Sequence, residues 1–413
     1  MLNIIGKNAK EASRVLSKLD TNSKNEILKS IKISLDKNRK NILIQNNLDM
    51  ENAKKDGLSD AYLDRLLLDD NRIDDLLDSI DYVISLPDPI GFVKEMKTME
   101  NGLKVGNKTV PIGVVGIIYE SRPNVTLDCA LLCIKSSNSL ILKGGKEAIK
   151  TNTAIEKAIR EAIEILGYNP NFVQLIKDTS RENTKEFMKL NKYLDVLIPR
   201  GSHTLINSVV ENATVPVIKT GEGNCHVYVD ESADIDMALK IIENAKTQRT
   251  GVCNAMETLL VHKNVLNSIY KGIEELIIKH NITVYGCKRS IKNLPSIQLA
   301  TEEEFQREFL DMAFSMKVVD SVDEAIEHIQ KFSTGHSESI ITNDYNNCEK
   351  FLNEVDSACV YVNASTRFTD GGQLGMGAEM GISTQKLHAR GPIGLNELTS
   401  KKYVIYGQGQ IRK

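Results

Sequence analysis

The alternation of apolar and polar residues divides the chain into successive textures. Residues 8–86 read as helices, with Ile27, Leu28, Ile31 and Leu35 at the three- and four-residue spacing that lines one helix face. Ser23 is placed to cap that segment. Ser59 is placed to cap the next, whose buried stripe is Leu63, Leu66, Leu67, Ile73, Leu76, Leu77 and Ile80. Leu86-Pro87-Asp88-Pro89 then ends the helical texture, because proline has no amide hydrogen to donate. Over residues 96–110, short polar strands are interrupted by Asn101-Gly102 and Gly106-Asn107, both two-residue hairpin signals. That stretch has too few large apolar residues for a core. An arm that pairs with another subunit is the preferred reading, and a surface hairpin is the alternative.

From residue 113 onward, short continuous apolar runs alternate with amphipathic helices. Buried strands are predicted at 113–118, 139–142, 172–176, 196–198 and 215–218, with helices at 128–135, 151–166 and 184–190 and a further helix before the last strand. This alternation builds a parallel, doubly wound sheet that binds ligands at the carboxyl ends of its strands. Lys143-Gly144-Gly145-Lys146 and Arg200-Gly201-Ser202 both fall at such ends, where phosphate-binding turns belong. The Gly-x-Gly-x-x-Gly fingerprint is absent. The run from Gly375 to Gly381 has the wrong spacing and no leading strand, and is rejected as a cofactor loop. A second α/β unit is predicted over 227–380, with helices at 234–245 and 265–280 and strands near 258–261, 339–342 and 359–362. The apolar strand 402–406 has no helix after it and suits a sheet edge that pairs with the early hairpin.

The expected fold class is therefore α/β, with two doubly wound α/β domains and a small β oligomerisation arm. Residues 1–95 and 112–224 are expected to form the first domain and 225–385 the second. Residues 96–111 and 386–413 are expected to supply the arm and the C-terminal strand.

Composition narrows the function classes. A chain of 413 residues has length for two to three domains, and 41% hydrophobic with 26% charged residues is ordinary for a globular protein. A formal charge of −3 gives no electrostatic reason to expect nucleic acid or a membrane surface. The first residues run straight into charge without the apolar stretch of a signal peptide, so a cytoplasmic location is expected. The seven cysteines show no Cys-x-x-Cys spacing, so neither a disulfide framework nor a metal site is expected.

One cysteine stands apart. The polar, Gly-containing loop 247–251 leads to Cys253, and Thr258-Leu259-Leu260-Val261 beyond it reads as a buried strand. Such a thiol is anchored yet reachable, and Arg249 could favour the thiolate form that attacks carbonyl carbon. Taken alone, a structural cysteine is the commoner reading.

The rest of the chain changes those odds. It resembles the γ-glutamyl phosphate reductases (glutamate-5-semialdehyde dehydrogenases), a family within the aldehyde dehydrogenase superfamily, over essentially its whole length. The resemblance rests on Gly57-Leu58-Ser59-Asp60, Tyr119-Glu120-Ser121-Arg122-Pro123-Asn124, Lys143-Gly144-Gly145, and Lys246-Thr247-Gln248-Arg249 with Cys253-Asn254. Val362-Asn363-Ala364-Ser365-Thr366-Arg367-Phe368, His388-Ala389-Arg390-Gly391-Pro392 and Leu398-Thr399 complete it. It implies an aldehyde dehydrogenase-like fold with Cys253 as nucleophile. Asn124, otherwise a turn residue after proline, becomes the oxyanion amide, acting with the backbone N–H of Cys253. Lys143, with Gly144 and Gly145, corresponds to the lysine turn at the adenine ribose. Lys146 stands where NAD-preferring relatives carry a carboxylate, so the implied cofactor is NADP(H). Arg200, Gly201 and Ser202 correspond to the turn under the pyrophosphate, and Glu308 to the residue at the nicotinamide ribose.

The resemblance also has a departure. Hydrolytic aldehyde dehydrogenases place a water-activating glutamate where the alignment here puts Lys219, unless the register slips to Glu222. A lysine suits phosphate as the partner of the acyl group. Arg122, Arg249 and Arg367 are candidates for the acyl phosphate and substrate carboxylate, with Ser365 and Thr366 lining the same loop; surface or interdomain ion pairs are the alternative for each arginine. The implied activity is reduction of glutamyl phosphate through a cysteine thioester in proline synthesis. The implied partners are the small-molecule substrate and copies of the chain as a dimer or tetramer, with glutamate kinase a candidate pathway partner. The rivals are a hydrolytic NAD-linked semialdehyde dehydrogenase on this fold, a non-redox cysteine acyltransferase and a non-catalytic nucleotide-binding protein.

Overall fold

The computed structural model describes residues 1–412, apart from the side chains of Asp60 and Ala61; Lys413, and the Asp60 side chain of the 57–60 motif, lie outside the described residues. The chain forms two compact units. The first comprises Met1–Lys219, Gly375–Gly381 and Ile393–Lys413, and the second Thr220–Leu374 and Ile382–Pro392. The division falls at 219/220 rather than at the expected 224/225, and the tail expected as one piece from 386 is shared between the units.

The first unit opens with α1 (Leu2–Leu16), α2 (Thr21–Lys37), α3 (Arg39–Lys55), α4 (Asp60–Leu66) and α5 (Asp70–Ser85). Helix therefore begins before residue 8, with Ala9, Ala12 and Leu16 fully buried. Asp20, not Ser23, caps α2, accepting the Ser23 N–H at 2.8 Å. The single stripe expected from Leu63 to Ile80 is two helices. Buried Asn46 fixes the break, donating to the Leu66 carbonyl and accepting the Leu68 N–H, each at 2.8 Å. Asp69 then caps α5 by accepting from the Arg72 N–H at 2.8 Å.

Strands β1 (Val93–Thr98) and β2 (Lys104–Pro111) form the expected hairpin, turning at Asn101-Gly102, where Gly102 adopts φ 83°. Gly106-Asn107 is not a turn but lies inside β2. A Cβ on Gly106 would stand 2.8 Å from Val93 and 2.9 Å from Met96, so the glycine there serves close packing.

The parallel sheet follows as β3 (Val114–Tyr119), α6 (Asn124–Lys135), β4 (Ser139–Gly144), α7 (Ile149–Ile165), β5 (Val173–Leu175), α8 (Arg181–Phe187), β6 (Val196–Arg200) and α9 (His203–Asn212). Its order is β5-β4-β3-β6, and every residue of β3 and β4 is buried. The strand expected at 215–218 is only a bridge between Leu197 and Val217, because Pro216 brings a carbonyl but no N–H to the ladder. Asp195 fixes the start of β3, accepting from the Val114 N–H at 2.8 Å and from Lys10 Nζ at 2.8 Å.

The second unit contains β7 (Cys225–Val229), α10 (Ile235–Thr247), β8 (Met256–His262), α11 (Leu266–His280), β9 (Thr283–Gly286), α12 (Lys288–Asn293) and β10 (Gln298–Leu299). It continues with α13 (Glu302–Gln306), β11 (Ala313–Val319), α14 (Val322–Phe332), β12 (Ser337–Ile341), α15 (Tyr345–Glu354) and β13 (Cys359–Val362). The seven strands run in the order β10-β9-β11-β8-β7-β12-β13, and each pairing is parallel. Parallel strands buried on both faces read as apolar runs, which is why β8 was legible. The run of β7 is interrupted by His226 and Tyr228, and that of β11 by Ser315 and Lys317, so neither was anticipated. A short pair, β14 (Ile382–Ser383) with β15 (Gly391–Pro392), precedes β16 (Thr399–Tyr406). As expected for the terminal strand, β16 pairs with the hairpin, antiparallel to β2 from Thr399↔Pro111 to Tyr406↔Lys104. No helix among the described residues is long and apolar enough to cross a membrane.

Asp49 shows how one helix holds another, α3 to α7. It is 2% exposed and accepts both the N–H and the hydroxyl of Thr151, at 2.8 and 2.7 Å, in the first turn of α7. Asp49→Ala leaves a buried N–H without a partner and is expected to cost about 1–3 kcal/mol. The check is the denaturant midpoint at unchanged slope; an unmoved midpoint refutes it.

Candidate active site

The sequence-predicted site residues fall into two groups, one in each unit. In the second unit, Cys253 lies in the loop between α10 and the buried strand β8. Its side chain is half-buried, whereas Cys129, Cys133 and Cys225 are fully enclosed. The loop is clamped at one carbonyl. A Cβ on Gly223 would stand 1.3 Å from the Cys253 oxygen, so only glycine fits. The Cys225 thiol donates to the same oxygen at 3.1 Å. On the following residue, the Asn254 amide donates to the Thr369 carbonyl at 2.8 Å, and its carbonyl accepts from the Thr366 hydroxyl at 2.7 Å.

Cationic groups gather around this loop. Arg367 donates to Gln248 Oε1 at 2.8 Å and also meets Asn254 Oδ1. Burial and the neighbouring Arg249 push the Arg367 pKa down, and the Cys253 thiol opposes them, so both groups lie within electrostatic reach of the guanidinium. Ser365 and Thr366 are buried and hold the loop: Ser365 Oγ accepts the Arg367 N–H at 3.3 Å, and Thr366 donates as described. Glu308 accepts the Gly223 N–H at 2.9 Å, which ties it to the segment that packs on Cys253.

Sequence reasoning missed the support beneath. Lys246, in the last turn of α10, forms a buried ion pair with Glu257 of β8 at 2.7 Å, the side chains 1% and 0% exposed. Burial drives Lys246 down and Glu257 up toward their neutral forms, against the pull of each on the other. Glu257 also accepts the Leu310 N–H at 3.3 Å, where Leu310 adopts φ 54° close after Glu308. The pair thus joins the helix before Cys253, the strand after it and the segment carrying Glu308. A lysine and a glutamate at opposite ends of one loop were the only sequence signal.

In the first unit, Lys143 lies near the carboxyl end of β4 and is 3% exposed. Burial lowers its pKa, opposed by Asp178 and Glu147. Gly144 and Gly145 follow in close quarters: a Cβ on the former would meet Asn152 Nδ2 at 2.6 Å, and on the latter Glu147 at 2.2 Å. Lys146 is 76% exposed and lies 3.5 Å from Asp56. Arg200 ends β6, and Gly201 and Ser202 lead into α9. The donors of Ser202 are already committed, because Glu120 accepts its N–H at 2.8 Å and its hydroxyl at 3.1 Å. Arg122 is half-buried in the turn before α6. Asn124 is the first residue of α6, and its amide donates to Asp128 at 2.9 Å. Lys219 is the last residue of the first unit's long segment, and Glu222 lies in the second unit, where its carbonyl accepts from Thr334 at 2.6 Å.

This donor set fits a nicotinamide dinucleotide at the β4 end. Buried Asn152 Nδ2 has no hydrogen-bond partner and borders Gly144, and the Lys143 ammonium adds donors on the same strand. At the β6 end the fit is narrower than the sequence implied, since Glu120 holds the Ser202 donors.

Gly223→Ala is expected to displace the Cys253 peptide while both sheets persist. Differential alkylation should show a changed Cys253 reactivity with an unaltered far-ultraviolet spectrum. Parent-like alkylation of Cys253 would mean that the carbonyl clamp is not rigid.

Comparison with known proteins bears on the whole chain. The model of the aldehyde dehydrogenase family matches residues 2–283 and 304–404. A γ-glutamyl phosphate reductase of Clostridium kluyveri is 55% identical, covering 98% of this chain and 97% of that one. Its counterpart in Heliobacterium modesticaldum is 54% identical over 100% and 99%. The crystal structure of a γ-glutamyl phosphate reductase from Thermotoga maritima superposes with a TM-score of 0.97 at 48% identity, covering both chains completely. The chain belongs to the aldehyde dehydrogenase family and, within it, to the γ-glutamyl phosphate reductases, which makes it an oxidoreductase.

Proposed function

We propose that the chain reduces L-glutamyl 5-phosphate to L-glutamate 5-semialdehyde and phosphate with NADPH, the second step of proline synthesis from glutamate. The observation that carries the chemistry is the half-exposed Cys253 thiol, held by its own clamped carbonyl within electrostatic reach of Arg367. A guanidinium near a thiol favours its thiolate. The thiolate attacks the γ-acyl carbon, Asn124 and the Cys253 N–H stabilise the oxyanion, and the carbon–oxygen bond to phosphate breaks with its electron pair on phosphate. When bound, the reduced nicotinamide supplies the hydride that converts the thioester to the aldehyde level. The carbon–sulfur bond then breaks, the aldehyde leaves and the thiolate is restored.

Arg122, Arg249 and Arg367 have the charge to hold the acyl phosphate and the substrate carboxylate, with Lys219 as the group that favours phosphate over water. Lys143 to Lys146, Arg200 to Ser202 and Glu308 are assigned to NADP(H). In this reading the first unit is the cofactor domain and the second the catalytic domain. The sheet β1-β2-β16 serves assembly with a second copy, supported by exposed Phe92, Met96, Tyr403 and Ile405.

Cys253→Ala is expected to abolish phosphate-dependent NADP reduction with glutamate semialdehyde while leaving NADPH binding nearly unchanged. Asn124→Ala should lower turnover by about a hundredfold to a thousandfold, the usual loss for one oxyanion donor. An active Cys253→Ala enzyme sinks the mechanism.

Lys146→Glu is expected to move the ratio of kcat/KM for NADP over NAD toward NAD, because a carboxylate repels a 2′-phosphate and accepts from ribose hydroxyls. The paired steady-state measurements decide it, and an unchanged ratio means that Lys146 only serves Asp56.

A further inference from the structure

Asp128 follows Asn124 by one helical turn of α6 and accepts its amide N–H at 2.9 Å. An ionised carboxylate has no proton to donate, so the atom of Asn124 that faces it must be the NH₂ nitrogen, and the orientation of the amide is settled by chemistry. One of the two amide hydrogens is thereby committed, and the nitrogen that carries the other is fixed in place. We propose that Asp128 is a positioning residue for catalysis, holding the Asn124 amide so that its second N–H is presented to the acyl oxygen of the substrate. This rests on the reading of Asn124 as the oxyanion donor.

The surroundings of Asp128 give the arrangement a pH dependence. It is only half-buried by exposed area, yet protein packs closely enough around its carboxyl that burial pushes the pKa up to about 6. The groups facing it are Asn124 and Arg200, which favour the carboxylate, Glu379, which opposes it, and Cys129, whose thiol is pushed up by burial and then by Asp128. Below about pH 6 the carboxyl carries a proton and can donate to the amide oxygen, so the amide is free to turn over. Above it, only one orientation is bonded. Because the folded-state pKa is raised, ionisation of Asp128 opposes folding as pH rises through that value. A carboxylate kept at such a cost serves something other than stability.

The test measures semialdehyde oxidation with NADP and phosphate on both sides of the Asp128 pKa. The proteins are the parent, Asp128→Asn, Asn124→Ala and the double variant. Parent kcat should fall as pH drops through about 6, with KM little changed. Asp128→Asn can still accept the amide N–H but can also pair in the turned orientation. It should lose about tenfold to a hundredfold in kcat, the range of one charged hydrogen bond, and lose the acid limb. Its melting temperature above pH 6 should equal or exceed the parent's, which a purely structural role for Asp128 would not give. In the Asn124→Ala background, Asp128→Asn should cause no further loss. Parent-like kcat and pH profile in Asp128→Asn overturn the proposal, as does an undiminished effect of that substitution in the Asn124→Ala background. Parent-like turnover in Asn124→Ala instead overturns the oxyanion reading itself.

Discussion

The architecture around the nucleophile depends on one close approach, that of Gly223 to the carbonyl of Cys253. No atom larger than hydrogen fits there, since a Cβ would stand 1.3 Å from the oxygen. A peptide held by steric exclusion on one side and by the Cys225 thiol on its oxygen cannot rotate, so the Cα just before it, which carries the Cys253 thiol, is placed by the backbone. Precision of that kind is what turns a bound substrate into one poised for attack. The close approach also explains where the segment belongs: Gly223 leads directly into β7, and β7 pairs with β8, which starts just after Cys253. The same pairing that builds the sheet brings the glycine under the nucleophile.

Around this clamp the chain keeps charges in places that disfavour them. The Lys246–Glu257 pair is almost wholly enclosed, and burial acts on each member against its partner. Such pairs contribute little net stability against an apolar replacement, while loss of one partner costs about 3–5 kcal/mol because it strands the other charge. What the pair provides here is registration. It links α10 to β8 and, through the Leu310 N–H, to the segment carrying Glu308, which returns to Gly223. Arg367 belongs to the same pattern, its pKa lowered by burial and Arg249 while Cys253 opposes that shift.

Much of this was legible in the sequence, and the failures have physical causes. The strand after Cys253 showed because a parallel strand buried on both faces is continuously apolar, and all of β8 is buried. Strands β7 and β11 were missed because buried polar residues interrupt their runs: His226 meets Glu338 at 3.0 Å and Ser315 meets Thr258 at 2.8 Å, partners no local pattern reveals. The stripe from Leu63 to Ile80 looked like one helix because its periodicity is unbroken, while the break is imposed from α3 by Asn46. Gly106-Asn107 carried a turn signal that packing against Val93 and Met96 overrode. In the site, residues that carry charge or a thiol announced themselves. Gly223, whose contribution is the absence of a side chain, and Asp128, whose contribution passes through Asn124, did not.

A motif, moreover, is not a list of contacts with a ligand. In Lys246-Thr247-Gln248-Arg249 the first residue is buried in the scaffold and the last is exposed beside Arg367. The run from Tyr119 to Asn124 divides its labour in the same way. The Tyr119 hydroxyl meets Thr126 at 2.6 Å, Glu120 takes the Ser202 donors, and the Ser121 N–H reaches Glu147 at 2.8 Å. Three successive residues thus bind the end of β3 to α6, to the start of α9 and to the turn after β4. Asn124 then opens α6 with its amide turned to Asp128. The turn between β3 and α6 is therefore fixed on three sides before any substrate arrives, and the Asn124 amide that follows it bonds Asp128 from a backbone already held by the polar groups of the residues ahead of it.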